Sequence, residues 1–473
     1  MKRVSFFLIL TTMLFLSYSC TRATRPIREE AQKNPVVQEI MNEVQEDSND
    51  AAVTNTNLPG SPKPSQTLHV FIENSGSMNG YINRDSEFQM AIGRAIQLMR
   101  HVYDDSSIKT YYINQKVREQ KCPNDENLYN FVKKMLEVRS FTTSGTYRAD
   151  RGTTSTNLNE IVKLVLDSVD ENNTAILISD FIYSLASTNG ETENLLGDCQ
   201  NLTMSAFLQK TKQLPNSVPL AANLIQLYSK FDGKYWHWEK PTGDGYVRLN
   251  CPRPYYMCVL GTDENVRKFN EEIDVTELKG YSNQFTISNK DVSKANYTVM
   301  DTKYKKGSYR HNTKPDMPIH AIYKAKAGNN NEFGLGIAID LSDFSMSESD
   351  KLDTANYNVE TGNYRIDRVE VIDTTKLTNP KDLKLVRDYH CTHVIVVSAT
   401  GFPNNFSISI KRDLPTWVHL SSSIDDRRIA SDQAEQRKTF GLAYFVKGIS
   451  DAYKYLASNK KNFMTINVTV QSN

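Results

Sequence analysis

Two short apolar runs constrain this chain more than anything else in it: Leu68-His69-Val70-Phe71-Ile72 and Ala175-Ile176-Leu177-Ile178. Continuous apolar runs of that length suit strands covered on both faces, as in a parallel sheet between helix layers. The segments around them supply the helices. From Asp85 to Tyr103, residues Phe88, Ala91, Ile92, Ala95, Leu98, Met99 and Val102 recur at helical spacing, with Asp85 or Ser86 as the cap. Leu128–Val138 and Leu158–Val169 repeat that pattern, and Ile108–Ile113 reads as a strand. Further strands are expected at Leu220–Tyr228 and Tyr255–Leu260, and helices at Ala206–Gln213 and Asp263–Ile273. Alternation of this kind predicts an α/β domain over residues 67–274, doubly wound around a mostly parallel sheet.

Beyond residue 275 the apolar period changes to two. Phe333–Leu341, Tyr364–Ile372, Val394–Val397, Phe406–Ile410 and Met464–Val470 read as strands. One amphipathic helix interrupts them over 439–457, with Leu442, Val446, Ile449, Tyr453 and Leu456 on one face. Residues 275–473 are therefore expected to form a β-rich, sandwich-like second domain with a helix near its end, and Ser421–Arg437 a polar loop.

The first residues set the compartment. Lys2 and Arg3 precede a run from Val4 to Leu16, followed by Ser17, Tyr18, Ser19 and Cys20. Thirteen helical residues reach roughly 20 Å, short of a bilayer core of about 30 Å. Residues 1–19 read as an export signal, and a cysteine directly after the cleavage site resembles a bacterial lipoprotein signal. Leu16 lies four residues before the cysteine and Tyr18 is bulky; an ordinary secretory signal is the alternative. The resemblance implies that Cys20 is lipidated and anchors the mature protein to a membrane of the bacterial cell envelope, on the periplasmic or surface side. Residues 20–66, rich in Thr, Asn, Ser, Pro and acidic residues, read as a flexible tether.

Composition closes off other classes. A net charge of +1 argues against a nucleic-acid binder, and a mean hydropathy of −0.52 excludes a polytopic membrane protein. Five cysteines besides Cys20 leave at least one unpaired. Cys251 and Cys258, on one expected strand, lie too far apart to bridge each other. His390-Cys391-Thr392-His393 reads as an entry into the following strand rather than a metal site.

Three segments carry chemistry. Glu73-Asn74-Ser75-Gly76-Ser77-Met78 follows the first strand, Gly152-Thr153-Thr154-Ser155-Thr156 opens the helix at 158–169, and Ser179-Asp180 follows the 175–178 strand. In this order they resemble a von Willebrand factor A-type domain with its metal-ion-dependent adhesion site, an Asp-x-Ser-x-Ser motif completed by a later Thr and a later Asp. The resemblance gives Ser75 and Ser77 the serine positions, Thr153 or Thr154 the threonine and Asp180 the aspartate, with Glu73 where the family has Asp. In a sheet of order 3-2-1-4-5-6 the ends of strands one and four are neighbours, which would set Glu73 beside Asp180. Hydroxyls and two carboxylates suit a hard cation such as Mg²⁺. The extra methylene of Glu73 either replaces a bridging water or abolishes binding.

The function expected is metal-dependent capture of a protein partner that supplies an acidic ligand, with Asn79, Tyr81 and Asn83 near the rim. The alternatives are a metal-free scaffold lipoprotein and a metal-dependent hydrolase. The chain offers the hydrolase no G-x-S-x-G elbow, no phosphate-binding loop and no base for Ser77, so no enzyme activity is expected. Tyr235-Trp236-His237-Trp238 reads as a packed hairpin strand ahead of a sugar-stacking platform, and Asp425-Asp426-Arg427-Arg428 as a solvated, ion-paired loop.

Overall fold

The two apolar runs become strands β1 (Thr67–Glu73) and β4 (Asn173–Ser179), which pair in parallel with Val70 opposite Ile176 and Ile72 opposite Ile178. The structure, a computed structural model, describes residues 66–472 apart from 84–85, 115, 125–126, 138–156, 185–190, 216–217, 239–245, 312–320, 345 and 458–461. β2 (Ile108–Ile113) lies parallel on the other side of β1, and β3 (Val117–Glu119) returns antiparallel to β2. Both faces of β1 are covered, as its composition requires. Leu68, Val70 and Ile72 share a core with α1 (Glu87–Val102) and α2 (Leu128–Glu137). Phe71 points the other way, into a core with α3 (Leu158–Asp167) and α4 (Thr192–Gln213). Ser86 caps α1 by accepting the Gln89 N–H at 3.3 Å.

The rest of the sheet departs from the mostly parallel expectation. β5 (Leu220–Trp236) and β6 (Tyr246–Thr262), 17 residues each, form an antiparallel hairpin, and β6 lies antiparallel to β4. After α5 (Asp263–Glu272), β7 (Tyr281–Ser288) closes the sheet antiparallel to β5. The order is β3-β2-β1-β4-β6-β5-β7 rather than 3-2-1-4-5-6, and only β2, β1 and β4 run parallel. The cause is connectivity. Only nine residues, 237–245, link β5 to β6, fewer than the dozen or so that a parallel crossover needs, so the two strands run antiparallel. The architecture is thus mixed α/β: a seven-stranded mixed sheet plus further, largely antiparallel sheets.

The remaining strands are β8 (Tyr297–Val299), β9 (Ser308–His311), β10 (Ala321–Lys326), β11 (Glu332–Ile339), β12 (Tyr357–Thr361), β13 (Tyr364–Val371), β14 (His393–Thr400), β15 (Phe406–Lys411), β16 (Ser422–Ser423), β17 (Thr439–Phe440) and β18 (Asn462–Gln471). β13-β14-β11-β8 and β12-β15-β18-β10-β9 form two sheets. Leu335, Ile337, Ile395 and Val397 of the first share one core with Ile322, Ile408, Ile466 and Val468 of the second, the arrangement of a sandwich. Helix α6 (Pro380–Asp388) precedes β14, and its Asp382 accepts the N–H groups of Asp301, Thr302 and Lys303.

Helix α7 (Leu442–Leu456) comes from the segment assigned to the β-rich part, yet its apolar face packs on the seven-stranded sheet. Leu442, Phe445, Val446, Ile449 and Tyr453 share a core with Phe71, Leu177, Tyr256 and Cys258. Gly448 brings α7 against α4, where a Cβ would stand 2.7 Å from both the Gln200 carbonyl oxygen and Thr203 Cβ. Cys122, Cys199, Cys251, Cys258 and Cys391 are all free thiols, and His393 begins β14. Among the described residues no helix is long and apolar enough to cross a membrane.

A candidate oxygen-lined site at the ends of β1 and β4

Parallel pairing brings the carboxyl ends of β1 and β4 to the same edge of the sheet, where ligands of open α/β sheets bind. The Ser179 hydroxyl donates to Glu73 Oε2 and accepts the Phe181 N–H at 2.8 Å. Phe181 has φ +53°, a left-handed value uncommon for a bulky residue. That bend directly follows Asp180 and lets the Ile182 N–H reach Asp180 Oδ1 at 3.3 Å. Ring contacts to Tyr256 and Phe445, with centroids at 5.8 and 4.9 Å, hold Phe181 in place.

Asn74 anchors the facing turn. Its N–H donates to the Ile113 carbonyl at 2.7 Å and its Nδ2 to the Met135 carbonyl at 3.0 Å. The Ser75 and Ser77 hydroxyls lie 3.0 Å apart, and Ser77 hydrogen-bonds the Asp180 carboxylate. The structure therefore brings Glu73, Ser75, Ser77 and Asp180 to one place. Thr153 and Thr154 lie outside the described residues, as does Cys20.

Asp180 is 2% exposed, and its Oδ2 has no hydrogen-bond partner among the described residues. Burial pushes its carboxyl above the ordinary range; the Ser77 hydroxyl, the Ile182 N–H and the Arg253 charge pull it back. An under-satisfied, desolvated carboxylate beside two hydroxyls and a second carboxylate fits a small hard cation. Among the described residues no three His, Cys, Asp or Glu side chains cluster as metal ligands, so serine oxygens would have to complete such a shell.

Sequence reasoning missed the walls of this site. The β5–β6 hairpin folds over the Met78–Tyr81 turn, with Asn83 Nδ2 donating to the Lys230 carbonyl at 2.9 Å and the Tyr81 hydroxyl to the Pro254 carbonyl at 2.5 Å. Gly80 and Gly233 meet backbone to backbone: a Cβ on Gly233 would stand 2.5 Å from the Gly80 Cα. Trp236 lies beside Gly76, its Nε1 buried and without a partner among the described residues. Gly80→Ala would drive a Cβ to 2.2 Å from the Phe231 ring. It is expected to cost about 1–3 kcal/mol and to red-shift tryptophan emission as Trp236 lifts away. Denaturant unfolding followed by fluorescence checks both, and an unchanged midpoint would refute the close approach.

Arg253 was also missed. It is fully buried, with its guanidinium 4.6 Å from the Tyr235 ring centroid and donating to the Gln436 and Lys438 carbonyls at 3.1 and 3.3 Å. The available signal was one charge between Pro252 and Pro254 ahead of an apolar strand. The segment expected as a solvated loop needs correction. Asp425 and Arg427 form the exposed ion pair at 2.7 Å, but Asp426 is 2% exposed. It accepts the Tyr235 hydroxyl at 3.1 Å and the Trp238 N–H at 3.2 Å. The Tyr235–Trp238 run is thus bound into its own fold.

No family model, curated protein or solved structure matches this chain.

Proposed function

We propose that residues 67–274 form a von Willebrand factor A-like domain, and that the chain is a lipid-anchored cell-envelope protein binding a protein partner through a divalent cation. Glu73, Ser75, Ser77, Asp180 and Thr153 or Thr154 would hold the ion, Mg²⁺ in the first instance, and Cys20 would carry the lipid. The observation that carries this reading is the Ser77 hydroxyl on Asp180 with the Ser75 hydroxyl 3.0 Å behind it, beside an Asp180 Oδ2 that is buried and unpartnered among the described residues. The parallel β2-β1-β4 core with β3 antiparallel at its edge supports the domain assignment. Bound there, the ion would offer an open position to a carboxylate of the partner. Serines 75 and 77 would orient it, and Trp236 and the hairpin would shield one side from water. We assign no catalytic residue and no nucleic-acid partner.

Arg253 favours a second reading, a metal-free scaffold, because a buried guanidinium already offsets part of the Asp180 charge. Titration of the full-length protein with Mn²⁺, read by the paramagnetic signal of the free ion, separates the two. The adhesion reading expects saturable binding that is lost in Asp180→Ala and Ser75→Ala, both still folded by circular dichroism. Absent binding, or equal binding in the variants, leaves the scaffold.

A further inference from the structure

A groove of about 850 Å³ opens at the far edge of the seven-stranded sheet, between that sheet and the sandwich. One wall is the start of β7, Tyr281 to Gln284. β7 ends the sheet, so its outer edge carries no strand among the described residues. An edge of this kind presents alternate N–H and C=O groups to whatever lies beside it. Proteins usually blunt such edges with lysine or proline, and β7, Tyr-Ser-Asn-Gln-Phe-Thr-Ile-Ser, has neither and no charge at all.

The facing wall is apolar. Leu414, Pro415 and Trp417 line it, and Leu420 at its rim is 70% exposed. Trp417 also packs against the core between α7 and the seven-stranded sheet, which fixes this wall in place. The charged lining is acidic: Asp350, Asp353 and Asp413 stand against one basic lining residue, Lys411. The Lys411 ammonium is already spent on the Ala355 carbonyl at 2.9 Å, and the nearest cation to Asp413, Lys454, lies at 3.9 Å.

We propose that this groove takes an extended segment of a partner protein bearing lysine or arginine, added to the edge of β7 as an eighth strand. Main-chain hydrogen bonds to β7 supply the pairing, and alternate side chains of the segment face opposite ways. Apolar ones would rest on Leu414 and Trp417, and basic ones would meet Asp353 and Asp413, the exposed carboxylates of the lining. The site is distinct from the Ser75–Asp180 turn: β7 stands four strand positions from β1, and nothing here depends on a metal.

The test uses the full chain and a fluorescein-labelled hexapeptide alternating lysine and valine, followed by anisotropy. Two control peptides carry glutamate for lysine or a proline at the centre, which removes a ladder donor. The lysine peptide is expected to bind, the controls to bind at least tenfold more weakly, and binding to weaken with salt. Asp413→Lys and Leu420→Ser alter exposed side chains, their folding checked by circular dichroism; each is expected to raise the Kd tenfold or more. Amide exchange at Tyr281–Gln284 is expected to slow on binding. Absent binding at millimolar peptide, equal binding of the glutamate peptide, or unchanged affinity in both variants overturns the proposal. A concentration-dependent dimer abolished by the same substitutions also overturns it, since the occupant would then be a second copy.

Discussion

Arg253→Ala is expected to cost about 3–5 kcal/mol of stability, the range found when one member of a buried charge arrangement is removed. Three losses combine. The Gln436 and Lys438 carbonyls lose their guanidinium donor, the Tyr235 ring loses its cation, and Asp180 loses the positive charge that offsets its burial. The first loss also frees the strap at 421–440, because those carbonyls tie it to β6. Arg253→Lys keeps the charge but has no planar fork to span two carbonyls, so it should recover only part of the loss. Asp180→Asn in the Arg253→Ala background should recover more than the same change does alone, since the two sites couple. Denaturant midpoints of the wild type and these four variants check this. A cost under about 1 kcal/mol for Arg253→Ala would show that the guanidinium contributes packing alone.

Asp350→Asn is expected to stabilise the protein at pH 7 by up to about 3 kcal/mol and to do nothing below pH 4. Asp350 is 8% exposed. Burial pushes its carboxyl up to about 6; hydrogen bonds from Ser347 act the other way, and the Asp353 charge adds to the rise. The unfolded chain ionises this group near 3.8. Between those two values the folded state holds more protons, so stability falls as pH rises. The contribution is whole below about pH 4, declines through pH 6, and is gone by pH 7. The asparagine variant lacks that decline. Unfolding midpoints at pH 4, 5, 6 and 7 would show the two curves diverging upward in pH; parallel curves would mean the carboxylate is not desolvated.

Much of the first half was legible because each element there is written locally. The apolar stripe from Phe88 to Val102 is a helix in any fold that can cover it, and β1 and β4 are too apolar to lie anywhere but in the middle of a sheet. The candidate site was legible for the same reason: Asp180 directly follows β4, and Ser75 and Ser77 lie two and four residues past the end of β1. Ser179 was visible beside Asp180 but carried no mark of its role, since only the turn at Phe181 aims its hydroxyl at Glu73. The hairpin was only half legible. Leu220–Tyr228 and Tyr255–Leu260 are its apolar ends and Tyr235-Trp236 was legible as hairpin strand, whereas Ser229–Lys234 and Tyr246–Arg253 alternate too irregularly to read as strand until each is seen paired with the other.

The amino-acid sequence by itself determined where helices and strands form and which oxygen-bearing residues sit at their ends, because period and capping are properties of a few consecutive residues. The tertiary structure decided what each apolar face meets. It sent α7 to the seven-stranded sheet, turned β5, β6 and β7 antiparallel, buried Arg253 and Asp426, and left β7 with no strand on its outer edge among the described residues. The physical reason is that hydrophobic burial has no direction: a stripe of leucine and isoleucine states that it must be covered, and only the competition among all such stripes in the folded chain settles by what.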